Sequence, residues 1–217
     1  MTVWTSDVDS DKGYWKYLHS LALQKPARVS ISSFGLYLMV STFSGDKWED
    51  WKLKNLHQPE KARWIGPRHV LEQLRKNSET EEVRLLIGVS RPMNCMSHLG
   101  HGHCPCCMEK YRQTLKRLVE SVKGWDERFQ WRFVSDLHLK TTIWDFDSYT
   151  RATLGGINFS GSGWADAATG LRKTDSDVVR GMYDLIWESS AAPITAENLA
   201  LRAQDEYGVP LVADDLR

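Results

Sequence analysis

The residue types able to do chemistry gather in one short stretch. It reads Leu137-His138-Leu139-Lys140-Thr141-Thr142-Ile143-Trp144-Asp145, followed after a gap by Leu154-Gly155-Gly156-Ile157-Asn158-Phe159-Ser160-Gly161-Ser162-Gly163. In a β-strand, side chains two residues apart face the same way, so a strand here points His138 and Lys140 together from one surface. An imidazole beside an ammonium suits a phosphate diester. The ammonium neutralises non-bridging oxygens, and the imidazole attacks phosphorus or moves protons. A second strand ending in Gly155 and Gly156 lets backbone come close to a ligand, and Asn158 can donate its amide to the same phosphate. The Gly/Ser run, with Ser160, Ser162 and a helix expected to start after it, offers backbone N–H groups to an anion. Trp164 follows that run, at the expected mouth of the site or at an interface.

The elements that must hold these groups follow from hydrophobic periodicity and turn chemistry. Asp9–Gln24 reads as a helix, with Asp9 or Asp11 as cap and Tyr14, Tyr17, Leu18 and Leu21 at three- and four-residue steps. Arg28–Ser33 alternates as a strand, Phe34–Phe43 reads as a short helix and Gly45–Gly66 as an irregular charged connection. Pro67 suits the first position of a helix to about Lys76. Glu82–Val89 is a buried strand, and Met108–Lys123 is a helix with Tyr111, Leu115, Leu118, Val119 and Val122 on one face. Phe129–Val134, Leu139–Phe146 and Tyr149–Ile157 read as strands, Ser176–Glu188 and Thr195–Tyr207 as helices. Strands separated by helices imply a single α/β domain over residues 1–217, with a mixed central sheet flanked by helices.

The constellation resembles the phospholipase D superfamily, whose pattern is His-x-Lys, four residues, Asp, and then a Gly-Gly/Ser-x-Asn element on the next strand. Here it stands as His138-x-Lys140, Asp145 and Gly155-Gly156-Ile157-Asn158-Phe159-Ser160. The motif covers about 25 residues, and the wider strand–helix order is compatible with the family over most of Ala27 to Glu188. The resemblance implies that His138 attacks phosphorus to form a phosphohistidine, that a second His protonates the leaving oxygen, and that Lys140 and Asn158 hold the charged transition state. Asp145 orders the site or sustains the charge on His, and no metal is required. Family members use two such motifs. This chain has one, which implies a homodimer with His138 of each copy facing across a two-fold axis. Single-motif family nucleases often carry an acidic residue roughly eleven positions beyond the Asn; that count reaches Thr169 here, and Asp166 is the nearest acidic side chain.

All four cysteines fall in a Cys/His-rich loop over residues 91–107. Cys95-x-x-His98 and Cys104-x-x-Cys107 give four soft donors in paired spacing, which suits a closed structural zinc site. His101, His103 or Cys106 can replace one of these four, and free buried thiols or a redox-sensitive loop are the alternatives. The chain has 217 residues, with 28 basic and 28 acidic side chains. Zero net charge argues against a protein whose whole surface coats nucleic acid, so such binding must come from a local patch. The stretch Lys47–Lys76, with Trp48, Trp51 and Trp64 among its cations, is a candidate; a solvated surface anchored by tryptophans is the plainer reading. The remaining tryptophans (Trp4, Trp15, Trp125, Trp131, Trp144, Trp187) read mainly as core or interface. No run approaches the roughly 20 apolar residues that span a bilayer, and the polar, acidic start lacks the features of a signal peptide, so the expected location is cytoplasmic.

The expectation is a metal-independent nuclease acting as a homodimer. The rivals are a module that binds a phosphate group or nucleic acid without turnover, a phosphodiesterase on a small nucleotide or phospholipid, and a zinc-stabilised interaction protein.

Overall fold

The structure is a computed structural model that describes residues 3–5, 13–34, 67–89, 105–155 and 167–217. Among the described residues, eight strands form one mixed sheet. They are β1 (Val3–Thr5), β2 (Arg28–Phe34), β3 (Glu82–Val89), β4 (Phe129–Ser135), β5 (Thr141–Asp145), β6 (Thr150–Gly155), β7 (Ala167–Gly170) and β8 (Ala192–Pro193), in the spatial order β1-β7-β6-β5-β2-β3-β4-β8. The strands β2, β3 and β4 run parallel, and every other pairing is antiparallel. Helices are α1 (Tyr14–Leu23), α2 (Pro67–Lys76), α3 (Pro105–Ser121), α4 (Lys173–Ser189) and α5 (Ala196–Tyr207), with a 3-10 turn at Ala213–Leu216.

The parallel strands are connected through helices, as parallel neighbours require. Both faces of the sheet are covered, which explains why β2 and β3 are buried almost throughout rather than on alternate residues. On one face Val29, Ile31, Val83, Leu85, Ile87, Trp131 and Phe133 pack against α1, α2, α3 and α5. Each helix presents a stripe at helical spacing, such as Cys107, Tyr111, Leu115 and Leu118 on α3. On the other face Leu86, Ile143 and Ala152 lie beneath α4, whose Val179, Tyr183 and Trp187 repeat every four residues. Trp15, Trp131, Trp144 and Trp187 are all buried, as expected of core tryptophans.

Helix ends follow local chemistry. Thr195 caps α5 by accepting a bond from the Asn198 amide at 3.1 Å, and Gly208, in the left-handed region at φ 62°, closes it. The helix Pro67–Lys76 has the expected bounds. Five expectations change. The N-terminal helix begins at Tyr14 rather than at Asp9, with Gly13 and not Asp9 or Asp11 at its N-cap. Phe34 closes β2 rather than opening a helix, and residues 35–43 lie outside the described set. The segment after the Gly/Ser run enters strand β7 before helix α4 begins at Lys173, because Ala167–Gly170 pairs with both β6 and β1. His138 and Lys140 precede β5 instead of lying in it, because the ladders from β5 to β2 and β6 start at Thr141. The short strands β1, β7 and β8 were not anticipated.

A chain of buried hydroxyls ties β5 and β6 to α1. Tyr14 and Thr153 share a hydrogen bond of 2.9 Å, and Thr153 and Thr142 another of 2.9 Å. The indole N–H of Trp144 donates to Thr142 Oγ1 at 2.9 Å, while the Thr141 hydroxyl donates to the Thr153 carbonyl. Burial pushes the Tyr14 phenol up to about 12, partly offset by its hydroxyl neighbours, so it stays protonated. Replacing Thr153 by Val removes one hydrogen bond from Tyr14 and one from Thr142 inside the core. Urea unfolding of Thr153→Val should show a loss of about 1–3 kcal/mol, with a smaller loss for Tyr14→Phe; an unchanged midpoint in Thr153→Val would remove this network from the account.

Candidate active site

The parallel strands β2, β3 and β4 end at Phe34, Val89 and Ser135 along one edge of the sheet. The antiparallel strand β5 starts at that edge, with Thr141 opposite Ser32, and β6 returns to it at Gly155. This carboxyl edge of parallel strands is where open α/β sheets bind ligands. His138 and Lys140 lie on the connection from β4 to β5. That connection cannot be a simple turn, because β3 and β2 stand between the strands it joins. Three strand spacings amount to roughly 14 Å, and residues 136–140 must cross them.

Fixed points hold the crossing. Asp136 takes a left-handed turn at φ 53°, and its N–H donates to the Val89 carbonyl at 2.9 Å. Asp is among the few non-glycine residues that adopt this conformation readily. Over β3, the Leu137 carbonyl lies against Gly88. Over β2, the His138 ring stacks on Phe34, with centroids 4.2 Å apart and planes inclined by 31°. At the far side the Gly155 N–H donates to the Lys140 carbonyl at 3.1 Å, and the Thr141 N–H donates to Ser32 Oγ at 3.1 Å. His138 is exposed and Lys140 half-buried. Among the described residues, neither is engaged in an ion pair. The structure therefore brings His138, Lys140 and Gly155 to one edge.

Asp145 is not with them. It sits at the opposite end of β5, five extended steps from Lys140, roughly 17 Å. Its carboxylate accepts from both terminal nitrogens of Arg180 on α4, one of them at 2.8 Å, and from the Thr150 hydroxyl at 2.8 Å. Such a fork pins α4 to the β5–β6 hairpin. Gly156, Asn158, Ser160, Ser162, Trp164 and Asp166 lie outside the described residues. Thr169 is in β7, opposite Leu154.

Of the expected zinc ligands, Cys95, His98 and Cys104 also lie outside the described residues. Cys107 is described: it is buried on the packed face of α3, with its Sγ 4.0 Å from that of Cys106. Among the described residues no group of three or more His, Cys, Asp or Glu is placed to hold a metal. Of the basic stretch, only the part on α2 is described; there Arg68 and Arg75 pair with Glu72 at 3.6 and 2.8 Å. No helix among the described residues is long and apolar enough to cross a membrane.

No family model and no curated protein matches the sequence. Solved structures do match. The chain is similar to phosphatidylserine synthase from Haemophilus influenzae Rd KW20, with TM-score 0.53 and 13% identity, over 88% of this chain and 39% of that one. The fold is phospholipase D-like. A further match is NucT from Helicobacter pylori, with TM-score 0.48 and 8% identity, covering 88% of this chain and 97% of that one. In the phospholipase D-like sheet described here, Gly88 and Phe34 are the contacts of the site segment that sequence reasoning missed. A glycine inside a buried strand is the signal that could have found the first, since it marks a close approach by other backbone.

The position of Asp145 carries a prediction. Asp145→Asn removes the counter-charge of a part-buried guanidinium and should cost about 1–2 kcal/mol of stability. The imidazole signals of His138 in a proton–carbon NMR spectrum should stay in place. Movement of those signals without loss of stability would instead connect Asp145 to the site.

Proposed function

We propose that this chain is a phosphodiesterase that works without a metal in a site shared by two copies, and that its substrate is nucleic acid. The observation that carries the reading is the crossing segment. It presents an exposed imidazole at the carboxyl edge of the parallel strands, with Lys140 two residues further on, its backbone bonded to the glycine end of β6. The phospholipase D-like fold supports the same chemistry. In the first step a ring nitrogen of His138 attacks phosphorus and the bond to the leaving oxygen breaks. That oxygen takes a proton from the imidazolium of His138 in the second copy. Water then attacks the phosphohistidine, gives its proton to that same second imidazole, and the P–N bond breaks to release a phosphomonoester. Lys140 balances the charge on the non-bridging oxygens throughout, and the Asn158 amide donates hydrogen bonds to them. The preference for nucleic acid rests on the basic, tryptophan-containing stretch Lys47–Lys76, since cations interleaved with aromatics suit phosphates and bases.

Hydrolysis of bis-p-nitrophenyl phosphate and of labelled DNA and RNA in excess EDTA tests this directly. Turnover should persist in EDTA and vanish in His138→Ala, and Lys140→Ala should lose about 100-fold or more. Sedimentation should give a dimer at micromolar concentration. Activity in a strict monomer would overturn the shared site, and turnover retained in His138→Ala would overturn the nucleophile. Cleavage of phospholipid or cyclic dinucleotide in preference to nucleic acid would replace the substrate class and keep the chemistry.

We also propose that Cys95, His98, Cys104 and Cys107 hold one structural zinc ion, because three thiols and an imidazole in paired sequence spacing suit tetrahedral zinc and Cys107 lies in the first turn of α3. Metal analysis should find about one zinc per chain, and chelation should lower the melting temperature. A folded, zinc-free protein with an unchanged melt would dismiss the site.

A further inference from the structure

We propose that Gly88 and Phe34 are positioning residues for His138, forming a seat that sets where the imidazole stands at the sheet edge. The inference rests on His138 being the attacking group. Gly88 belongs to β3 and Phe34 lies directly opposite it on β2. A Cβ built on Gly88 would stand 2.1 Å from the Leu137 carbonyl oxygen, 3.1 Å from its carbon and 3.2 Å from Phe34 Cδ2. A carbon cannot sit 2.1 Å from a carbonyl oxygen, and both nearest atoms are backbone, so no rotamer change relieves the clash. The backbone of Leu137 must lift or the strand must sink. Leu85, Leu86 and Ile87 are fully buried in β3, which makes the strand the stiffer partner.

The displacement has one place to go. The crossing segment is tied at one end through Asp136 to Val89 and at the other through Lys140 to Gly155. Leu137 cannot slide along, so a push beneath it moves the residue after it, His138. The Phe34 ring sets the other coordinate by stacking on the imidazole at 4.2 Å, a contact that also limits ring rotation. Glycine at 88 thus lets the backbone come down onto the sheet, and phenylalanine at 34 receives the ring that follows it.

The test uses the full chain with Gly88→Ala, Phe34→Leu and, as a control, Gly181→Ala, whose added methyl would meet nothing within 4 Å. Diester turnover, thermal melting and the proton–carbon NMR signals of the His138 ring are read together. Gly88→Ala should lose roughly 100-fold in kcat, the scale of a misplacement of about 1 Å, with KM changed by less than about two-fold. Its His138 signals should shift. Phe34→Leu should lose up to about ten-fold in kcat and shift the same signals as the ring current disappears, also if Gly88→Ala fails to fold. Gly181→Ala should match the wild type. Wild-type kcat and unmoved His138 signals in Gly88→Ala, or unmoved signals in Phe34→Leu, would overturn the inference. A wild-type protein without diester turnover would defeat the functional reading alone, and the His138 signals of the two variants would still decide whether the seat exists.

Discussion

A chain that leaves β4 and enters the sheet beyond β2 has to cross the ends of two strands. The strand order β5-β2-β3-β4 imposes this, and five residues between Ser135 and Thr141 perform it. An extended chain covers at most about 3.3–3.6 Å per residue, enough to span the roughly 14 Å with only a few ångströms to spare, so the crossing runs close over the strand ends. Four of its five residues meet a defined neighbour: Asp136 the end of β3, Leu137 Gly88, His138 Phe34 and Lys140 Gly155. The residues that could do chemistry occupy a short bridge whose supports are among the best-buried strands of the protein.

The platform under that bridge is held from two directions. Near the edge, Ser32 and the threonines of β5 and β6 exchange hydrogen bonds with each other and with Tyr14 of α1. At the opposite end, Arg180 of α4 grips Asp145 and Thr150. The antiparallel half of the sheet is thus fixed to a helix on each face. Within the short motif, His138 and Lys140 lie at the site edge while Asp145 secures the fold some way off. A sequence spacing that looks like one constellation divides between two ends of a strand.

Much of the scaffold was legible because burial wrote it into the periodicity. Val29 and Ile31, the apolar run from Val83 to Val89, and the stripe from Tyr111 to Leu118 each announce their element, and Pro67 and Thr195 mark helix starts. The small residues of Ala167–Gly170 and the two residues of β8 carry no such pattern, and their strands exist only because a neighbouring edge is free to pair. The alternation around His138 misled for a different reason: Leu137 and Leu139 mimic a strand, whereas the ladder cannot begin until the crossing is finished. Gly88 and Phe34 could not be linked to His138 from spacing, since roughly 50 and 100 residues separate them and only the strand order brings them together.

The same topology shapes how the protein comes to be made. β2 emerges first among the central strands, but the partner on its outer side arrives late: Ser32 and Thr141 are 109 positions apart. At a synthesis rate of about 5–20 residues per second, that flank waits on the order of ten seconds with its peptide groups unpaired. Such a flank invites association with other chains. Ser30, Ser32 and Ser33 make this strand far less adhesive than a run of valines, even though all three end up buried.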